Sequence, residues 1–515
     1  MSAPTGDRWR ALALTAVLCV VTNAPYLSAA LAPPAGRVFA GTFHWIDDFC
    51  NYASYVQQAE SGRFLFDDKL SLTPRRPVLA NLEWWTVGLV SRLLGRSPFL
   101  AYRLFAVAAT AALVAMILLW LRTLGVPAPH RTAAAALVCF GGGMGGVLFD
   151  FTDRPAARCP DLAIGFYPFL ALLSQPHWTA ATALLLAALW AFWRARTVRG
   201  NLAAIALGTA LGLVRPYDLV LLVGVRVLAV VTTTTPRRWP ARLLPLAGLA
   251  PVVGYLAWVF FGSAAFAAFG SSAYAAIPLP PLELLQALGP PALCLLAWRR
   301  PRRAVARGAE AHLAAWLAVG TGMVLLRPVS FSLQFAVGLG LPLLLLAARA
   351  LARWAPSVTA LTAIALGSSA FVAHRTVWRP DPNWFVPAER RDVVLALRPS
   401  CESGGLLLSP PDMGLFAVAL TSCRSYVSHP AAAGYAERSV ETAEFYGSGA
   451  PAARLAWLDR RCITHVVLPG DPASAADVWL GGGSGFRPAA FAAAGPSHVT
   501  AYVREPPQSC PPAAR

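Results

Sequence analysis

Two adjacent carboxylates, Asp47 and Asp48, stand in the segment Gly41-Thr42-Phe43-His44-Trp45-Ile46-Asp47-Asp48-Phe49-Cys50-Asn51-Tyr52. They come just before an amphipathic helix that the sequence predicts to start near Asn51. A carboxylate at a membrane–water boundary can act as a general base, or help to hold a divalent cation. The positive end of the helix dipole favours its charged form. The alternative role is capping the helix. Only one of the two is needed for that, so both roles can coexist.

Further polar residues lie at the ends of predicted spans. Asp150, Asp153 and Asp161 cluster in one predicted loop, with Asp153 and Asp161 as candidates for a second acid and a solvated acidic loop as the alternative. His177 follows Pro176 at the mouth of a span, where it would bind a phosphate oxygen or an acceptor, or simply pack. Arg215 and Arg327 each precede a proline at a span end. A guanidinium pairs with phosphate through two parallel hydrogen bonds, and snorkelling to headgroups is the other use of such an arginine. Arg75 and Arg76 offer the same chemistry from a loop. Trp45, Trp84 and Trp85 suit either sugar stacking or an interfacial aromatic belt. The Gly141–Gly146 run lacks the Lys-Ser/Thr of a phosphate loop and is expected to serve close helix packing inside a span.

The elements that must position these residues are set by composition. The 515 residues are 57% hydrophobic and 13% charged, with mean hydropathy +0.54. Soluble domains carry roughly 25% charge, so lipid solvates much of this chain. A span needs roughly 20 apolar residues. On that criterion about eleven runs qualify, near 11–32, 99–122, 131–150, 177–194, 201–214, 217–233, 243–262, 281–298, 309–327, 331–350 and 356–374. The first exceeds the roughly 7–15-residue core of a signal peptide and reads as a retained helix.

The net charge of +18 is spread as short basic clusters between apolar runs. That is the positive-inside pattern, and it argues against nucleic acid as a partner. Arginines at 8 and 10, 122 and 131, 194–199, 237–242, 299–307, and 349 and 353 all fall on one side if the spans alternate. That side is then cytoplasmic, and the acidic loops are external. The chain is expected to divide into a membrane domain, 1–375, carrying an external loop at 33–98, and an external soluble α/β domain, 376–515. The latter shows β-like runs at Gly405–Ser409, Arg424–Ser428, Thr464–Pro469 and Val499–Val503, with helical patterns at Ala388–Leu397 and Glu437–Tyr446 between them. External thiols tend to pair, which suggests Cys401–Cys423, Cys462–Cys510 and, between loops, Cys50–Cys159. No Cys/His spacing indicates a metal site.

A first span, a long external loop opening on an acidic pair and an aromatic-rich juxtamembrane helix together resemble the GT-C superfamily of membrane glycosyltransferases. Many bacterial members carry Asp-Glu-x-Tyr-Tyr here. This chain has Asp48-Phe49-Cys50-Asn51-Tyr52, with an aromatic at a similar offset and no Glu after the Asp, so the base is Asp47 or Asp48. A second juxtamembrane helix at Arg75–Gly95, and Ala101-Tyr102-Arg103-Leu104 at the start of the second span, extend the resemblance. Gln175-Pro176-His177-Trp178, Arg215-Pro216-Tyr217-Asp218 and Ser428-His429-Pro430 are similar to elements of uncharacterised bacterial members.

The resemblance implies an α-helical polytopic protein of the bacterial cytoplasmic membrane. It implies an inverting transfer of sugar from a polyprenyl-phosphate donor to a glycan, lipid or protein acceptor on the external face. Asp47 or Asp48 would be the base, Tyr52 would line the site and Arg215 or Arg327 would hold the donor phosphate. A lipid or solute transporter and a non-catalytic envelope assembly protein are the competing readings. Transporters often show repeated halves, and none is evident here.

Overall fold

A computed structural model describes residues 5–43, 45–70, 72, 77–143, 165–263, 281–297, 304–328, 331–351, 369–370, 384–402, 404–430, 432, 434–447, 450–469, 480, 484–494 and 497–505. From the N-terminus come α1 (Thr5–Leu31), β1 (Arg37–Phe39), α2 (Ile46–Glu60), β2 (Leu65–Phe66), β3 (Leu79–Ala80), α3 (Leu82–Leu93), α4 (Pro98–Thr123) and α5 (Arg131–Phe140). Then follow α6 (Pro168–Ser174), α7 (Pro176–Arg194), α8 (Val198–Val214), α9 (Pro216–Thr233), α10 (Trp239–Ala247), α11 (Ala250–Ala257), α12 (Pro281–Leu293), α13 (Ala304–Leu326) and α14 (Gly340–Leu351). The last part holds β4 (Phe385–Pro387), α15 (Ala388–Ala396), β5 (Leu406–Leu408), α16 (Pro411–Leu420), β6 (Arg424–Ser425), α17 (Tyr435–Gly447), α18 (Pro451–Arg460), β7 (His465–Pro469), β8 (Arg487–Ala494) and β9 (Ser497–Val503).

The chain divides into two compact units. One comprises residues 1–27, 102–258 and 275–381, and the other 28–101, 259–274 and 382–515. The long loop after α1 therefore groups with the C-terminal segment, whereas a division of the sequence at 375 leaves it with the spans.

The first unit is helical. Lipid offers no partners to backbone N–H and C=O groups, so a spanning segment satisfies them internally as a helix. Five helices are long and apolar enough to cross a membrane: most of α1, α4, α9, most of α13, and the segment Ser332–Leu351 that ends in α14. A pair bent by 55°, built on α10 and α11, makes a sixth if it is one span. The predicted runs near 177–194 and 201–214 are the helices α7 and α8. The run near 131–150 is helical only to Phe140, and Gly141 turns extended at φ −66°, ψ 149°. The expectation that the glycine run lies inside a helix is thus corrected for Gly141–Gly143, because consecutive glycines give a helix little reason to continue. Most of the run near 356–374 lies outside the described residues. Polar ties fix the packing: Tyr26 Oη donates to Leu173 O at 2.6 Å, and the Arg103 guanidinium lies 3.8 Å over the Tyr26 ring.

The second unit joins the loop to a small α/β fold. β1 pairs antiparallel with β4, Val38 opposite Val386. The main sheet runs β6-β5-β7-β9-β8, parallel among β6, β5 and β7 and antiparallel through β9 and β8. Alternation along the strands feeds two cores. Leu407 and Val467 pack with Val393, Val394, Met413 and Ala417 from α15 and α16. Leu408, Val466 and Leu468 pack with Phe445 of α17 and Leu458 of α18.

Of the expected cystine bridges, Cys401–Cys423 is present, with both residues in the first of these cores. Cys462 is also disulfide-bonded, and Cys510 lies outside the described residues. The expected Cys50–Cys159 bridge is corrected: Cys50 is a free thiol on the buried face of α2, 1% exposed.

Candidate active site

Gly41 sets the approach to α2. Its φ is +97°, and a Cβ there would fall 2.5 Å from the Phe49 ring. Trp45 follows in the left-handed region at φ 55°, ψ 54°, in the N-cap position with no side-chain cap. That conformation costs a residue with a Cβ about 1–2 kcal/mol, and such strain gathers at functional sites. Asp47 and Asp48 then occupy the first turn, and neither serves as the helix cap.

Asp48 Oδ1 instead lies 3.3 Å from His429 Nε2. The imidazole side chain is 8% exposed and the carboxylate 40%, so Asp48 keeps an open flank. Burial pushes the Asp47 carboxyl above its ordinary 3.8. The Asp48 charge acts in the same direction and His429 opposes it.

The rest of α2 is built to hold these groups still. A Cβ on Gly88 of α3 would collide with Ala59 Cβ and lie 2.8 Å from Val56 O, so α2 and α3 touch backbone to backbone. Tyr52 gives one face of its ring to Trp84, with centroids 4.4 Å apart and planes at 15°. Glu60 accepts from Ser91 Oγ at 2.5 Å.

Beyond α2 the loop is fastened to the C-terminal segment. Arg424 pairs with Asp67 at 2.6 Å. Lys69 Nζ donates to Gln57 Oε1 at 2.5 Å and to Thr421 O at 2.8 Å. Burial, helped by Arg63 and opposed by Asp67, brings Lys69 down to about 7. These ties, with the packing of α2 on α16, carry His429 to Asp48.

In the helical unit the structure brings together two of the predicted residues. Arg215 begins α9, and Pro216 after it has no N–H to leave unpaired. Its Nη1 pairs with Asp218, and its Nη2 donates to Gln334 O at 2.6 Å and Gln334 Oε1 at 2.8 Å. His177 is buried in the first turn of α7, its ring 5.4 Å from that of Trp178 and within electrostatic reach of Arg215. Arg327 is exposed just after α13, at φ 53°. Asp153, Asp161, Arg75 and Arg76 lie outside the described residues.

One trio of ligand-type side chains among the described residues is close enough to hold a metal ion, namely Cys401, Cys423 and His465. The disulfide occupies both of its sulfurs.

No protein-family model matches the chain, and no curated protein matches it. Solved structures do. Arabinofuranosyltransferase AftD from Mycobacteria matches over 98% of this chain and 40% of its own, at 18% identity and a TM-score of 0.59. The Archaeoglobus fulgidus oligosaccharyltransferase, tethered to an acceptor peptide, matches over 89% and 69%, at 11% identity and a TM-score of 0.50. This chain has the GT-C fold. It spans about 40% of the length of AftD.

Within the GT-C fold, sequence reasoning found the acidic pair and missed its partner. His429 stood in a noted motif, Ser428-His429-Pro430, without a role. Nothing in the linear pattern joins it to a carboxylate 381 positions away. Asp218 and Gln334 were missed as partners of Arg215. For Asp218 the signal was present, since it falls three residues after Arg215, one helical turn on.

Proposed function

We propose that this chain is a multi-pass glycosyltransferase of the bacterial cytoplasmic membrane, with about eleven spans, that moves a sugar from a polyprenyl-phosphate donor to an envelope acceptor on the external face. The acceptor hydroxyl oxygen attacks the anomeric carbon of the donor sugar. The bond from that carbon to the phosphate oxygen breaks, polyprenyl phosphate leaves, and the hydroxyl proton passes to Asp48 or Asp47. Inversion at the anomeric carbon follows from a single displacement. Arg327 and Arg215 are assigned to the donor phosphate and His177 to the same end of the reaction. Asp153 or Asp161 is assigned as a second acid, Tyr52 as a wall of the acceptor site, and Arg75 and Arg76 as auxiliary phosphate contacts.

The observation that carries this reading is the Asp48–His429 pair beside a second carboxylate raised by burial. An imidazole near a carboxylate fixes its orientation and can relay its proton. Support also comes from the GT-C fold and from an apolar groove of about 660 Å³ in the helical unit, lined by Leu295, Ala314, Leu317, Ala318, Thr321 and neighbours, which suits an isoprenoid chain.

The test compares lipid-linked sugars and surface glycans in cells carrying wild type, Asp47→Asn, Asp48→Asn or the double variant, at matched protein level. Accumulated donor and a lost glycan product in the double variant are expected. An unchanged glycan profile would remove the enzymatic reading and favour an assembly role.

A further inference from the structure

The end of the helical unit that gathers the basic loops holds a second constellation. Arg226, on α9, is 4% exposed. Its Nη1 meets His312 Nε2 of α13 at 3.1 Å, and its Nη2 donates to Arg242 O at 3.3 Å. His312 Nδ1 stands 2.7 Å from Gly308 O. A carbonyl can only accept, so Nδ1 carries the proton and Nε2 presents its lone pair to Arg226.

Both partners of the guanidinium are therefore neutral. Among the described residues no carboxylate pairs with Arg226, and its buried Nε has no hydrogen-bond partner. The acid nearby in sequence on α13, Glu310, lies 3.7 Å from Arg349 instead. Arg196 and Arg242 stand close enough to work against the Arg226 charge. Arg196 Nη1 donates to Trp193 O and Ala195 O, both at 2.7 Å, which fixes its head at the end of α7. The Trp193 ring closes one side, 5.8 Å from the His312 ring.

Depth matters here. Arg226 lies seven residues before the end of α9 at Thr233, about 10 Å along the axis, and His312 eight residues after Ala304, about 12 Å, at 1.5 Å per residue. An arginine this far in usually reaches for water or headgroups. Arg226 instead turns its head onto His312 and away from solvent. A buried cation among like charges is costly unless an anion completes it. Basic pockets between helices at a membrane's basic side take phosphate-bearing headgroups.

We propose that Arg226, His312, Arg196 and Arg242 form a phosphate-binding site at the basic end of the helical unit. It is separate from the transfer chemistry assigned to Asp47 and Asp48. Arg226 supplies the buried contact, His312 orients it, and Arg196 and Arg242 form the open rim. The ligand is a phosphate group, carried by an anionic lipid or free in solution.

The test uses the full chain purified in neutral detergent. Phosphatidylglycerol, phosphatidylcholine and inorganic phosphate are titrated separately, and binding is read by native mass spectrometry and by thermal shift. Wild type should bind phosphatidylglycerol and not phosphatidylcholine. Arg226→Gln should weaken binding about tenfold or more, the scale of a lost charge-assisted hydrogen bond. The double variant Arg196→Gln/Arg242→Gln changes only the rim, and should weaken it while leaving the fold intact if Arg226→Gln does not fold. Arg237→Gln, exposed at the same end, should bind like wild type. Competition by inorganic phosphate, lost in the same variants, identifies free phosphate as the ligand. Its failure to compete identifies the lipid headgroup. Wild type that binds none of the probes, or rim and core variants that bind phosphatidylglycerol as wild type does, would overturn the proposal.

Discussion

His429 Nε2 and Asp48 Oδ1 lie 3.3 Å apart across 381 residues of sequence, joining the first loop to the C-terminal segment. The contact makes His429 a positioning residue for the acidic pair. His429→Ala should lower kcat on the order of a hundredfold, the scale of a misplaced catalytic group, with KM little changed. A second readout needs no turnover. Carbodiimide labelling of Asp47, followed against pH by mass spectrometry, should show a midpoint above 3.8 in wild type. The charge of His429 lowers that midpoint and the charge of Asp48 raises it. The midpoint should therefore move up in His429→Ala and down in Asp48→Asn. A merely structural histidine would lower activity by loosening the fold and leave no such opposite pair of shifts.

Lys69 gives the second unit a pH dependence of definite sign. Its ammonium titrates near 10.5 in the unfolded chain and at about 7 when buried between Gln57 and Thr421. Between those values the unfolded chain holds the extra proton. Stability should therefore rise as pH climbs from about 7 towards 10.5, and the lysine should add no slope below 7. Thermal unfolding in detergent across this range measures it. In Lys69→Met the part of the slope due to this group should vanish, and an unchanged slope would show that Lys69 does not titrate there.

The Cys401–Cys423 bridge closes a separation of 22 residues inside a core. Loop-closure entropy gives such a crosslink about 3 kcal/mol. Replacing both residues with alanine should lower stability by about that amount. Non-reducing peptide mapping should find the 401–423 pair linked and Cys50 alkylated only after unfolding. A peptide joining Cys50 to Cys159 would contradict the packing of α2.

The local rules were legible where a single segment satisfies them. Apolar length forces helices in lipid, so α1, α4, α9 and α13 fall where hydropathy puts them. Period-two alternation marks β5, β6, β7 and β9, and the 3.6 period marks α15 and α17. β8 was not legible. Its Arg-Pro-Ala-Ala-Phe-Ala-Ala-Ala composition has no strand preference, and its extended form comes from pairing along β9.

The sequence by itself determined that this is a helical membrane protein with an acidic pair before a juxtamembrane helix, because charge, apolar length and residue type act locally. Only the tertiary structure decided what meets that pair. A hydrogen bond depends on where two side chains arrive in space. His429 arrives at Asp48 because β1 pairs with β4, Asp67 pairs with Arg424, and Lys69 reaches Thr421, each a contact between segments more than 300 residues apart. The same reason hid the free state of Cys50 and the Arg226–His312 contact. Each depends on which face a helix turns inward, and that is settled by its neighbours.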